Sequence, residues 1–189
     1  ELIARGLKIH VDNEFQMFAY LGGDLPGAIE AMPINPDEVP DSALNTHGKA
    51  KAIQFKKTTQ EHKFSLAGVQ MKFSMKEKDG RYTLPDGGAL GDWIIKTPST
   101  KHRFVPFNEY TAMSLARLGG VDIPEIKLVR LDTLDHLPPI NLPDETHAFA
   151  IKRFDRAGSH RIHMEDFAQV LVKYPHEKYD TASYENIGK

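Results

Sequence analysis

Phe64-Ser65-Leu66-Ala67-Gly68-Val69-Gln70-Met71-Lys72-Phe73-Ser74-Met75 is the stretch whose reading decides the fold. It reads as a strand end, a tight turn at Gly68 and an alternating strand. Met71, Phe73 and Met75 point one way, and Lys72, Ser74 and Lys76 the other; that period of two marks a half-buried β-strand. Asp79-Gly80 follows, the signal of a type I′ hairpin, with Arg81 to Leu84 as the return strand. Gly68 removes a side chain where the backbone must turn closely. A turn with exposed N–H groups beside Lys72 can hold phosphate. The plainer alternative is a turn that binds nothing, and the stretch is neither a Walker loop nor G-x-G-x-x-G.

Composition sets the outer bounds. The 189 residues suffice for one ordinary domain or two small ones. An apolar content of 40%, a charged content of 26% and a net charge of −2 fit a globular chain, not a disordered one. That balance gives no case for direct nucleic-acid binding. There is no cysteine, which excludes disulfides and thiolate chemistry and suits a reducing compartment; a cytoplasmic location is expected. No run approaches the apolar length needed to cross a bilayer, and no signal-peptide pattern opens the chain. It begins with Glu1 rather than Met, and both ends are expected to be cut from a longer protein.

In chain order, Leu7, Ile9 and Val11 share one side of a loose alternation, and Phe15 to Leu21 is predicted as a second strand. Gly22-Gly23-Asp24 and Pro26-Gly27 turn the chain. Pro33, Pro36 and Pro40 punctuate a linker that ends near Gly48. Trp93-Ile94-Ile95-Lys96-Thr97-Pro98 is a short strand ended by proline. A lysine among such apolar neighbours calls for an anion; otherwise it snorkels to water. Lys101, His102 and Arg103 form a basic loop that touches phosphate or is simply solvated. Asn108 to Leu118 is predicted as a helix, capped by Asn108 and stopped at Gly119-Gly120. Glu109, in its first turn, is either a dipole-stabilising surface carboxylate or a partner for Lys96, like the strand-lysine and helix-glutamate pair of kinase folds. Strands are predicted over Val121 to Leu131 and Ala148 to Asp155, separated by a proline-rich loop. Met164, Phe167, Ala168 and Leu171 fall at helical spacing, which assigns Phe167 to a core face. The end of the chain, 174–189, reads as polar and irregular.

Several separated segments then match one pattern. They are Phe64 to Lys72, Trp93 to Pro98, Asn108-Glu109-Tyr110, Ile151-Lys152-Arg153-Phe154-Asp155-Arg156, His163 to Gln169, and Lys178-Tyr179. In this order and at these spacings they resemble the HipA family of bacterial toxin kinases, over roughly residues 15 to 180. Leu21-Gly22-Gly23-Asp24-Leu25-Pro26-Gly27-Ala28 looks like the family's small N-terminal subdomain. The resemblance implies an α+β fold: an antiparallel-sheet, kinase-like N-lobe with one main helix over residues 49–189, plus a small β-rich N-terminal subdomain and linker over residues 1–48.

The resemblance also implies a function. The family is a serine/threonine kinase, usually the toxin of a toxin–antitoxin pair, with an aminoacyl-tRNA synthetase as its best-known substrate class and a HipB-like antitoxin as partner. On that pattern Ala67, Gly68, Val69, Gln70, Met71 and Lys72 cover the ATP phosphates. Ser65 matches a serine that is autophosphorylated, and phosphate there competes with ATP for the same donors. Lys96 matches the phosphate-contacting lysine. Lys152, Arg153 and Phe154 match the hinge, whose backbone groups read adenine. Met71 and Lys152 depart from the family, where acidic residues are common at both positions.

A kinase also needs an Asp for the acceptor hydroxyl and an Asn and Asp for magnesium. Of the nine histidines only His10 opens a His-x-Asp triplet, His10-Val11-Asp12, and it stands at the start of the chain, ahead of the segments that carry the resemblance, so no catalytic loop is read there. Asp166-Phe167-Ala168 looks like the metal-binding Asp motif, but the helical period rejects it. The chain therefore resembles the cap and nucleotide-binding lobe alone, with no catalytic or metal-binding residue of its own; ATP and Mg²⁺ belong to the parent protein. The alternatives are a catalytically inert module that docks an antitoxin or another protein, and a plain α+β domain whose motifs only pack.

Overall fold

The computed structural model describes residues 10, 12–41, 70–85, 89–138, 140–174, 177 and 183–188. The expected strand through Leu7 and Ile9, and the turn through Gly68, lie outside the described residues.

The sheet is built from six strands: β1 (Lys72–Lys78), β2 (Arg81–Thr83), β3 (Trp93–Lys96), β4 (Ile126–Arg130), β5 (Leu134–Asp135) and β6 (His147–Lys152), in the order β4-β6-β3-β1-β2-β5. Neighbours are antiparallel except the edge pair β2 and β5. The β1–β2 hairpin turns through Asp79 at φ 52° and Gly80 at φ 77°, the pair of left-handed residues that a type I′ turn requires. Its twist matches that of the strands, which explains why the Asp-Gly pair predicts the hairpin.

Register places Phe73 opposite Ile95, Met75 opposite Trp93, and Ile95 opposite Ala150. These residues share one face and are buried together with Tyr82, Val129, Leu134 and Ala148. Each large side chain removed from water there contributes about 1.5–3 kcal/mol. Tyr82 meets Trp93 edge to face, with ring centroids 6.0 Å apart. The opposite face carries Lys72, Ser74, Ile94, Lys96, Phe149 and Ile151, and β6 and β4 there pack against the main helix, α2 (Val105–Leu118).

Three expectations need correction. Residues 15–21 are not a strand but most of a helix, α1 (Glu14–Leu21), and Asn13 caps it by accepting from the Gln16 N–H. No residue in Glu14–Leu21 is β-branched, and Glu, Gln, Met, Ala and Leu all favour helix. Among the described residues before 42 there is no strand. Second, α2 begins three residues before Asn108, with Pro106 in its first turn and Phe104 in the left-handed region before it. Proline suits that position because its missing N–H has no intrahelical partner there. Asn108 is therefore inside the helix, and Glu109 sits in its second turn.

Third, the helix expected from Met164 shrinks to α3 (Phe167–Val170), and Phe167 is 54% exposed instead of core-facing. Asp166 and Gln169 form a reciprocal capping box at its start. Val172 at φ 53° ends the run almost at once. A short hairpin, β7 (Arg156–Ala157) and β8 (His160–Arg161), links β6 to this segment, and α4 (Tyr184–Ile187) lies near the end. No helix among the described residues is long and apolar enough to cross a membrane.

Candidate functional site

β3 ends at Lys96, where Thr97 makes one last bond to the Met71 carbonyl and Pro98, with no N–H, cannot extend the ladder. Its ammonium donates to Glu109 Oε2 on α2, and about a quarter of each side chain stays in contact with water. The Phe149 ring lies beneath it, 5.6 Å from Nζ to centroid. The pair ties the sheet to the main helix. Lys72 on β1 is the direct cross-strand partner of Lys96, so two lysines share one face at adjacent positions. Like charges placed opposite each other destabilise a sheet by themselves. Glu109, already paired with Lys96, offsets that repulsion.

Gln70 and Met71 lead into β1. The Gln70 side chain donates to the Thr97 carbonyl at 3.1 Å. The Met71 carbonyl accepts from the Thr97 N–H at 3.2 Å, and its side chain packs against the core. Both residues fix the junction of β1 and β3 by these contacts. Ser65, Ala67, Gly68 and Val69 lie outside the described residues.

The 152–154 segment leaves β6 at the end of the strand remote from Phe149, which pairs with Lys96. Trp93 pairs with Lys152 and Lys96 with Phe149, so the segment lies three positions, about 10 Å, along the strand from Lys96. The Lys152 N–H donates to the Glu125 carbonyl at 2.8 Å and the Arg153 N–H to the Asp92 carbonyl at 2.9 Å. The Phe154 N–H has no partner among the described residues, and its side chain is 62% exposed. With Asp122, Ile123, Pro124 and Glu125 these three residues line an open cleft of about 460 Å³.

The side chain of Arg153 does something the sequence does not announce. It is buried, and its guanidinium donates to Asp24 at 2.9 Å, Ser74 Oγ at 2.9 Å, the Leu25 carbonyl at 3.3 Å and both oxygens of Asp155 at 2.7 and 2.9 Å. Arg156 joins it, donating to Asp24 at 2.7 Å, to Asp155 at 2.9 Å, and to the carbonyls of Leu25 and Gly27. The Gly27 N–H in turn donates to Asp155 Oδ2 at 2.8 Å. Burial alone pushes the Asp155 carboxyl up. The hydrogen bonds from Arg153 and Gly27, with the charges of Arg153 and Arg156, outweigh burial and hold it below the usual aspartate range. Asp24 thus joins residues 129 and 132 positions away to the N-terminal turn. Its signal in the sequence is faint: an acid between turn residues, and an Arg-x-Asp-Arg run after an apolar strand.

Among the described residues no three His, Asp or Glu side chains come together as a metal site.

The comparisons with known proteins agree with the fold. Residues 64–189 match the family model described as the HipA-like C-terminal domain. Over 181 residues the chain is 41% identical to the protein named "Putative kinase Y4dM" of Sinorhizobium fredii, covering 93% of this chain and 42% of that one. It is 29% identical over 196 residues to "Putative kinase Y4mE" of the same organism, covering 93% and 44%. The chain thus spans less than half the length of the curated relatives it matches. Among solved structures it superposes on a chain of the Shewanella oneidensis MR-1 toxin–antitoxin complex of HipA, HipB and operator DNA. The TM-score is 0.59 and the identity 21%, over 97% of this chain and 44% of that chain. That likeness shows the fold alone; the family match over residues 64–189 shows that the chain belongs to the HipA family.

Proposed function

We propose that this chain is the N-terminal, ATP-binding part of a HipA-like serine/threonine-protein kinase, the toxin of a toxin–antitoxin system. The observation that carries the reading is the Lys96–Glu109 ion pair between β3 and α2, with Lys72 opposite Lys96 on the same face. A strand lysine held by a helix glutamate is how kinase folds present an ammonium group to nucleotide phosphates. The 152–154 segment, about 10 Å along the strand from Lys96, supports the reading as the place for the base. ATP supplies the γ-phosphoryl group, and this chain contributes binding and orientation. The acceptor-orienting Asp and the magnesium ligands are assigned to the remainder of the polypeptide.

The two Sinorhizobium relatives, both named as kinases, support a kinase. The HipA–HipB complex supports a HipB-like antitoxin as partner. A protein substrate such as an aminoacyl-tRNA synthetase follows from the family resemblance, and DNA contact is assigned to the antitoxin.

The test is ATP titration of the full-length polypeptide, read by calorimetry and thermal unfolding. ATP at one hundred times its Kd stabilises the wild type by about 2.7 kcal/mol. Lys96→Met abolishes that stabilisation while lowering stability without ATP by only about 1 kcal/mol, because the ion pair is partly solvated. ATP binding by Lys96→Met at wild-type affinity refutes the reading. Loss of all nucleotide response in the wild type, with retained antitoxin binding, replaces it with the inert docking module.

A further inference from the structure

The buried ionic cluster lies where the fold of the sheet does not require one. Strands β1, β3 and β6 are already joined by their ladders. The N-terminal turn, residues 22–27, adds a second set of restraints, and those made by Asp24, Leu25 and Gly27 converge on Arg153, Asp155 and Arg156 around Phe154. On one side Arg153 is held by Asp24 and the Leu25 carbonyl. On the other, Asp155 is held by the Gly27 N–H, and Arg156 by Asp24, Leu25 and Gly27. Arg161 adds a bond to the Gly23 carbonyl at 2.6 Å. The backbone amides of Lys152 and Arg153 are fixed by Glu125 and Asp92. The orientation of the next peptide, which carries the Phe154 N–H, therefore depends on the side chains that reach the turn.

Two features argue against a purely stabilising role. Among the described residues Asp24 Oδ2 and Arg156 Nε are buried without a partner, so the cluster is not saturated there. Buried ion pairs in general give little net stability over an apolar core, while they do impose direction. The turn is shaped for close approach: a Cβ on Gly22 would lie 2.1 Å from the Ala31 carbonyl oxygen, and Gly27 sits at φ +76° against Met164.

We propose that Asp24 is a positioning residue for base recognition: through Arg153 and Arg156 it sets the orientation of the Phe154 peptide, so that the N-terminal turn governs how a nucleobase is held at residues 152–154. The proposal rests on the nucleotide-binding reading above and adds to it a specificity role for a residue outside the site.

The experiment separates base from phosphate. Dissociation constants for ATP and for inorganic tripolyphosphate are measured by calorimetry on the full-length polypeptide, for the wild type, Asp24→Asn and Ser74→Ala. The last variant deletes only the hydroxyl partner of Arg153. Asp24→Asn is expected to weaken ATP about tenfold, the scale of one hydrogen bond, while tripolyphosphate changes less than about twofold. Ser74→Ala is expected to give a smaller loss with the same selectivity, and it carries the test if Asp24→Asn does not fold. Equal losses for both ligands, or an unchanged ATP-to-tripolyphosphate ratio in both variants, overturn the proposal. A wild type that prefers tripolyphosphate, or binds neither, overturns the nucleotide reading itself, an outcome visible before any variant is examined.

Discussion

Replacing Arg153 by Met puts the buried cluster to its hardest test. Methionine keeps most of the length and packing of the side chain but removes five hydrogen bonds. Asp24 and Asp155, both nearly fully buried, are left to share Arg156. Removing one partner of a buried ion pair costs about 3–5 kcal/mol, because the orphaned charge stays desolvated. For a chain of this size each kcal/mol moves the melting temperature by about 2–4 °C, so a fall of about 6–20 °C is expected. Urea unfolding followed by fluorescence reads it directly, since Trp93 is the single tryptophan and is 2% exposed.

The pH dependence sharpens the prediction. In the wild type the folded-state pKa of Asp155 is lowered. Its contribution is fully present above the unfolded value, about 3.9, and is lost as pH falls below that value through the folded one. In Arg153→Met burial is less opposed, so the Asp155 pKa rises and acid no longer removes a favourable interaction. The gap between wild type and variant must therefore narrow from pH 7 to about pH 3.5. A loss below about 1 kcal/mol at pH 7, or a gap that does not change with pH, refutes the account of the cluster as desolvated charge held by its partners.

Two further variants probe the frame around the site. A Cβ at Gly91 would lie 2.1 Å from Ser74 Oγ and 2.8 Å from the Met75 nitrogen, so Gly91→Ala is expected to force β1 and β3 apart and cost about 1–3 kcal/mol in urea unfolding; a neutral result means the strands yield freely there. Gly80→Val places a β-branched residue at φ +77° in the β1–β2 turn, with open space around it. The cost, about 1–2 kcal/mol, comes from backbone strain alone. An unchanged melting curve contradicts the type I′ assignment.

What the sequence reveals and what it hides divide along a physical line. Local rules carry the β1–β2 hairpin, because alternation and an Asp-Gly pair both act within a few residues. They carry Trp93–Lys96, where an apolar run meets proline, and the main helix, whose terminator is Gly119-Gly120. Lys96 and Glu109 are only 13 residues apart, and an ammonium group in an apolar strand advertises a need for charge. The same rules fail where the deciding contact is remote or missing. Phe15 and Phe18 suggest a strand, yet both remain substantially exposed on α1; the cap at Asn13 and the absence of β-branching outweigh them. Phe167 has the spacing of a core residue, but Val172 ends the helix before an apolar face can form.

Ser74 is the most instructive case. Alternation assigns it to the polar side of β1, which reads as solvent, yet it is fully buried. Its cover is a guanidinium 79 positions later, itself neutralised by a carboxylate 129 positions earlier. Binary patterning separates apolar from polar, and it has no means to distinguish a polar residue facing water from one facing a buried ion cluster. Only the pairing of complementary charges across the fold makes that difference. A cluster of this kind binds the N-terminal turn to the 152–154 segment with directional contacts that apolar packing does not provide, so any motion of the turn relative to the sheet must be transmitted to the backbone on both sides of Phe154.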